Sequence, residues 1–164
     1  MTQKRTFISI SLILLISFDL ISKNFAADFL KTREFIPVIG DILVFRYVEN
    51  HSMAFNLLSS METEVRFYTI LAIKLSILLI LIIIAMRKNS FSVLRLTAFT
   101  LIIAGGIGNF IDRAVNGYVI DFIHLFFSDT INFPVFNLAD IFISTGIIIL
   151  LFWGKPLTLF AKID

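Results

Sequence analysis

Cysteine is absent from the 164 residues, which removes disulfides, thiolate nucleophiles and Cys-ligated metals together. Histidine occurs twice, as His51 and His124, too few for a His-rich metal site. The helical zinc motif HExxH is missing. So is Gly-x-Ser-x-Gly, and neither histidine has an obvious serine to activate. The glycines of "GGIGN" lie inside an apolar run and lack the Lys-Ser/Thr of a phosphate-binding loop. Charge is scarce as well: 16% of residues, a formal net charge of +2, and no basic block of five or more, which argues against a nucleic-acid partner. There is no internal repeat, low-complexity tract or flexible linker.

Apolar residues fill the space left by these absences. They make up 58% of the chain, against roughly 45–50% in a soluble domain, and the mean hydropathy is +0.94. The chain reads as one domain, 1–164, mainly α and integral to a membrane. Four runs are candidate transmembrane helices: 6–26, 67–86, 93–111 and 138–154. Lys4 and Arg5 give the first run the look of a signal peptide. No small-x-small cleavage site follows, however, and Asp19 and Lys23 mark its end, so it reads as a retained helix. "RKNSFSVLR" holds three basic residues and "AVNGYVIDFIHLFFSDTINFPVF" none, which places both termini in the cytoplasm. Segments 27–66 and 114–136 then lie on the outer side. Within the first, "LVFRYV" alternates as a half-buried strand does, so a small β-containing subdomain is expected there. The second is too short to span and too apolar to float free; an interfacial segment between helices 3 and 4 is expected.

Ionisable groups near hydrocarbon are functional candidates. Asp19 and Lys23, at i and i+4, share a helix face and can pair, which on structural grounds alone brings both groups close to lipid. Gly105, Asn109 and Asp112 fall on one face of the third helix, where small residues admit a close neighbour. The plain alternative is a packing face closed by an Asn–Asp hydrogen bond, with Arg113 at the interface. "FNLAD" sets Asn137 and Asp140 three apart at the start of the fourth helix. Acids suit a first turn, but Asn137 is the more natural cap, leaving Asp140 a turn into the span with a charge to be solvated. Asp121, among apolar neighbours in "GYVIDFI", lies near the same interface. Two carboxylates brought together hold a proton between them. One then takes a proton from water while the other gives one to a carbonyl or leaving amine. Lys74 alone lies deep in a span, facing a neighbour or snorkelling.

Five motifs, in order, resemble the lipoprotein signal peptidases (signal peptidase II) of bacteria. They are "DLISK" from Asp19 to Lys23, "NHSMAF" from Asn50 to Phe55, "GGIGNFIDR" from Gly105 to Arg113, "GYVIDF" from Gly117 to Phe122, and "FNLAD" from Phe136 to Asp140. The second departs from the family pattern, with Ser52 where a glycine is usual; serine adopts positive φ less freely.

The resemblance implies an aspartic endopeptidase with Asp121 and Asp140 as its catalytic pair and with no cofactor or metal. Asn109, Asp112, Arg113 and Asn137 would surround and orient, and Asp19, Lys23 and Asn50 would complete the polar cluster and the substrate entrance. It implies diacylglyceryl-modified prolipoproteins as substrates, cut before the lipidated cysteine. It further implies contact with membrane lipids, inhibition by globomycin-like peptides, action as a monomer, and residence in the bacterial cytoplasmic (inner) membrane with the active site outward. The rival reading is a small non-enzymatic membrane protein or a proton or ion relay, which would string its acids across the membrane.

Overall fold

The computed structural model describes residues 2–40, 42–51, 62–87, 91–127 and 133–153. Ser52 and the rest of its motif through Phe55 lie outside the described residues. In chain order the elements are α1 (Thr2–Leu30), β1 (Ile36–Ile39), β2 (Leu43–Asn50), α2 (Thr63–Arg87), α3 (Val93–Asn116), β3 (Val119–Leu125) and α4 (Leu138–Trp153). Among the described residues three helices, α1, α2 and α3, are long and apolar enough to cross a membrane, and α4 is a shorter apolar helix. Their outward faces are greasy: Ile13, Leu14, Phe18 and Ile21 on α1 are each about 60% exposed, which suits lipid rather than water.

The helices run further than hydropathy suggests. α1 ends at Leu30 rather than 26, α2 begins at Thr63 rather than 67, and α3 continues to Asn116 rather than 111. At α1 the cause is packing. The inward stripe Asp19, Lys23, Ala26, Leu30 is buried throughout, polar first and then apolar. Its last two residues pack on Ile120 and Phe122 of β3. α3 starts at Ser92, whose hydroxyl accepts from the Arg95 amide, and stops at Gly117 in the left-handed conformation.

The strands form one antiparallel sheet in the order β1-β2-β3. The expected strand at "LVFRYV" is therefore present as β2. Within the segment expected at the interface, Val119–Leu125 is a strand, β3, that pairs with β2. Its apolar character comes from burial on both faces, from Val119 through Phe122. In the register, Asp121 opposes Val48 and Val119 opposes Asn50. Asn50 therefore stands two residues along from Asp121's partner and shares its face. Phe136 then bonds to Ile123 in both directions, at 2.8 and 2.9 Å, fastening the start of α4 to β3.

Candidate active site

The site forms where the sheet meets the helix ends, around the first turn of α4. Asn137 and Asp140 cap one another: the Asp140 amide donates to Asn137 Oδ1 at 3.1 Å, and the Asn137 amide donates to Asp140 Oδ2 at 3.1 Å. This is the reciprocal capping box that the spacing of three permits. Asp140 thus belongs to the helix start and is also turned toward other polar groups, so a place in the cap does not remove it from the cluster.

Asn137, fully buried, is the hub. Its Nδ2 donates to Asp121 Oδ1 at 2.6 Å, with Asn109 Oδ1 at 3.1 Å and the Ile120 carbonyl at 3.3 Å as further acceptors. Asp121 Oδ2 accepts from Asn50 Nδ2 at 2.7 Å. Asp140 Oδ1 accepts from Asn109 Nδ2 at 2.9 Å. One buried amide therefore links both aspartates, and a second amide steadies each of them.

A charged layer lies behind this one. Lys23 Nζ reaches Asp19 Oδ2 at 2.7 Å, Asp112 Oδ2 at 3.1 Å and Asn109 Oδ1 at 3.0 Å, using all three of its donors. Asp19 and Lys23 are 0% and 1% exposed, so they brace the cluster from inside rather than line an opening. Asp19 Oδ1 accepts from the Ala139 amide at 2.9 Å, satisfying another orphan donor of α4 from a different helix. Asp112 Oδ2 also accepts from the Ile120 amide at 3.2 Å, holding β3 to α3. Two glycines make this approach possible. A Cβ on Gly108 would meet the Asp19 carboxylate, and one on Gly105 would meet the Ala139 carbonyl. Arg113 donates to the Asn109 carbonyl at 3.4 Å, and its charge is felt by Asp121, Asp140 and Asp112.

Burial pushes the Asp121 carboxyl up to about 6. The charge of Asp140 adds to the rise, while hydrogen bonds from Asn50 and Asn137 and the charge of Lys23 oppose it. No group of three or more His, Cys, Asp or Glu side chains suited to a metal ion occurs among the described residues.

All nine anticipated residues, Asp19, Lys23, Asn50, Asn109, Asp112, Arg113, Asp121, Asn137 and Asp140, meet in this one region. The backbone partners of the cluster, the amides of Ala139 and Ile120, have no signature in the sequence. Backbone groups carry no residue-type signal, and only the helix-start position of Ala139 hinted at an orphan donor.

The family model described as signal peptidase (SPase) II matches residues 11–154. The "Lipoprotein signal peptidase" of Streptococcus agalactiae serotype V is 35% identical over 149 residues, 91% of this chain and 92% of that protein. The protein of the same description from Streptococcus pyogenes serotype M1 is 36% identical over 149 residues, again 91% and 92% of the two chains. Among solved structures, a bacterial membrane enzyme determined by the in meso method at 1.9 Å resolution superposes with a TM-score of 0.75. It is 28% identical, and the match covers 89% of this chain and 90% of that one. A match along nine-tenths of the chain, with every motif in the assembled site inside it, means that this chain belongs to the signal peptidase II family of lipoprotein signal peptidases.

Proposed function

We propose that the whole chain is one aspartic endopeptidase domain, with Asp121 and Asp140 as the reacting pair, that removes signal peptides from diacylglyceryl-modified prolipoproteins. The observation that carries this reading is the Asn137 side chain. It donates to Asp121 Oδ1 at 2.6 Å, while the backbone amide of the same residue donates to Asp140 Oδ2 at 3.1 Å, so both carboxylates answer to one rigid residue. The names of the relatives supply the substrate class.

In this mechanism Asp121 is the member assigned the proton, since burial raises its affinity for one. The ionised Asp140 takes a proton from water as the water oxygen bonds to the scissile carbonyl carbon, while Asp121 protonates the carbonyl oxygen. The C–N bond then breaks, the amine leaves with the proton held by Asp140, and Asp121 regains its own from the collapsing diol. Asn109 and Asn137 hold the pair in register, and Arg113 receives substrate carbonyls. Cleavage falls just before the lipidated cysteine, and the substrate enters sideways from the membrane with its acyl chains along apolar helix flanks.

The topology of this reading has α4 as a fourth span and both termini in the cytoplasm. The sheet and the site then face outward from the bacterial cytoplasmic membrane. The enzyme works as a monomer and is open to globomycin-like inhibitors. A relay needs acids strung across the membrane, whereas Asp19, Asp112, Asp121 and Asp140 belong to one hydrogen-bonded cluster. The experiment is cleavage of a diacylglyceryl-modified peptide in lipid vesicles. Asp121→Asn and Asp140→Asn should each fold and fail to cut; full cleavage by both variants would sink the mechanism.

A further inference from the structure

Lys74 is an ionisable residue in the middle of α2 that the mechanism above leaves unused. Such a group within a span calls for a partner. A lysine on a lipid-facing surface answers the demand by extending its amine to the interface, but Lys74 is not on that surface. It sits at i+4 from Ile70 and i−4 from Leu78, which are 5% and 7% exposed, so all three share the inward stripe of α2. Leu78 is the side chain that a Cβ on Gly106 would strike, which fixes the direction of this stripe: it faces α3. Between two buried neighbours, Lys74 itself is only half-buried, so the packed face opens at its level.

What surrounds the ammonium is equally telling. Among the described residues no carboxylate lies within ion-pair distance of it, the four ion pairs there being those of Lys23 (two), Lys31 and His51. Its charge is felt by Arg113 and by Asp140, one repelling and one attracting. Lys74 therefore lies within electrostatic reach of Asp140, on the face of α2 that is turned to α3. Lys74 and Arg113 are thus two cations whose charges reach Asp140, and the three donors of the Lys74 ammonium have no carboxylate partner among the described residues.

We propose that Lys74 is a specificity-determining contact, donating to the ester carbonyl oxygens of the substrate's diacylglyceryl group. This rests on the peptidase reading. The scissile carbonyl goes to the aspartates, and the lipid is attached at the next residue, so its ester carbonyls lie beside the pair. Lys74 stands eleven residues, about 16 Å of helix, into α2 from Thr63, on the side toward which acyl chains descend. A cation placed to meet the ester carbonyls finds those oxygens in an ester-linked lipid and lacks them in an ether-linked one.

The test compares two peptides of one sequence in vesicles, one with a diacylglyceryl thioether and one with its dialkyl ether counterpart. The wild type should prefer the diacyl peptide on the order of tenfold or more in kcat/KM, the scale of one hydrogen bond from a charged donor. Lys74→Met should lower the diacyl value to that of the ether, chiefly through KM, leave the ether value unchanged and keep the melting temperature. Lys74→Arg should retain the preference. Equal activity of Lys74→Met and wild type on both peptides overturns the proposal. So does an equal loss on both, or a shifted pH profile with KM unchanged, since either assigns Lys74 to the peptide or to Asp140. A wild type that cuts neither peptide overturns the peptidase reading itself, and this inference with it.

Discussion

Lys23 Nζ stands 3.0 Å from Asn109 Oδ1, and that contact decides which way the Asn109 amide faces. Lysine only donates, so the amide oxygen must face it, and Nδ2 is left to point at Asp140. Lys23→Met frees the amide and leaves Asp19 and Asp112 buried without their ion-pair partner. A loss of about 3–5 kcal/mol is expected, seen as a clear fall in melting temperature in detergent. An unchanged melting temperature would remove the bracing role assigned to Lys23.

Two neighbouring glycines should respond differently to one methyl group. In Gly108→Ala the new Cβ meets the pinned Asp19 carboxylate, which has no room to retreat. In Gly106→Ala it meets the flexible end of Leu78. Overpacking costs about 1–3 kcal/mol, and the upper end belongs to Gly108→Ala. Thermal melts of the two variants side by side give the order directly.

Asn137 combines two duties that substitution can separate. Asn137→Asp keeps an oxygen for the Asp140 amide, so the helix cap survives. It also replaces the donor facing Asp121 with an acceptor. Cleavage should fall about a hundredfold or more, while the melting temperature moves less than in Asn137→Ala, which loses the cap as well. Parallel assays of cleavage and melting separate the two effects.

Asp121 gives a pH dependence with a definite sign. Its carboxyl rises from 3.8 to about 6, so between these values the native chain holds a proton that the unfolded chain has lost. The stability contributed by this group is full below 3.8 and is lost as pH rises to about 6, a change of about 3 kcal/mol. The alkaline limb of kcat/KM should follow the same carboxyl. The Asn50 hydrogen bond lowers its proton affinity, so Asn50→Ala should move that limb to higher pH. A limb that stays put in this variant would detach it from Asp121.

Spacing made the local part of this site legible. Asn137 and Asp140 three apart, and Gly105, Asn109 and Asp112 on one face, are facts of helical period, and each holds in the fold. The strand β3 was not legible. Its run "VIDFIHL" is apolar because α1 covers one face and the polar cluster the other, and neither neighbour is visible from within the run. The length of α1 was hidden for the same reason, since Ala26 and Leu30 extend the helix to cover a sheet formed far away in sequence. The burial of Asp19 and Lys23 was hidden too, because it depends on α3 and α4 closing over α1. Period is written locally; coverage is not.

The separation of 120 positions from Asp19 to the Ala139 amide also bears on how the chain is made. Asp19 and Lys23 neutralise each other within one helix, so α1 can enter the bilayer during synthesis with its charges already matched. Asn109 and Asp112 join that pair only when α3 arrives, and the free oxygen of Asp19 is filled only by the first turn of α4. Until that last helix docks, Asp140 has no Asn109 beside it and Asp121 no Asn137. On the aspartic-peptidase reading, a nascent or clipped chain therefore carries the reacting acids without their alignment. In that reading, hydrolytic power is withheld until assembly is complete.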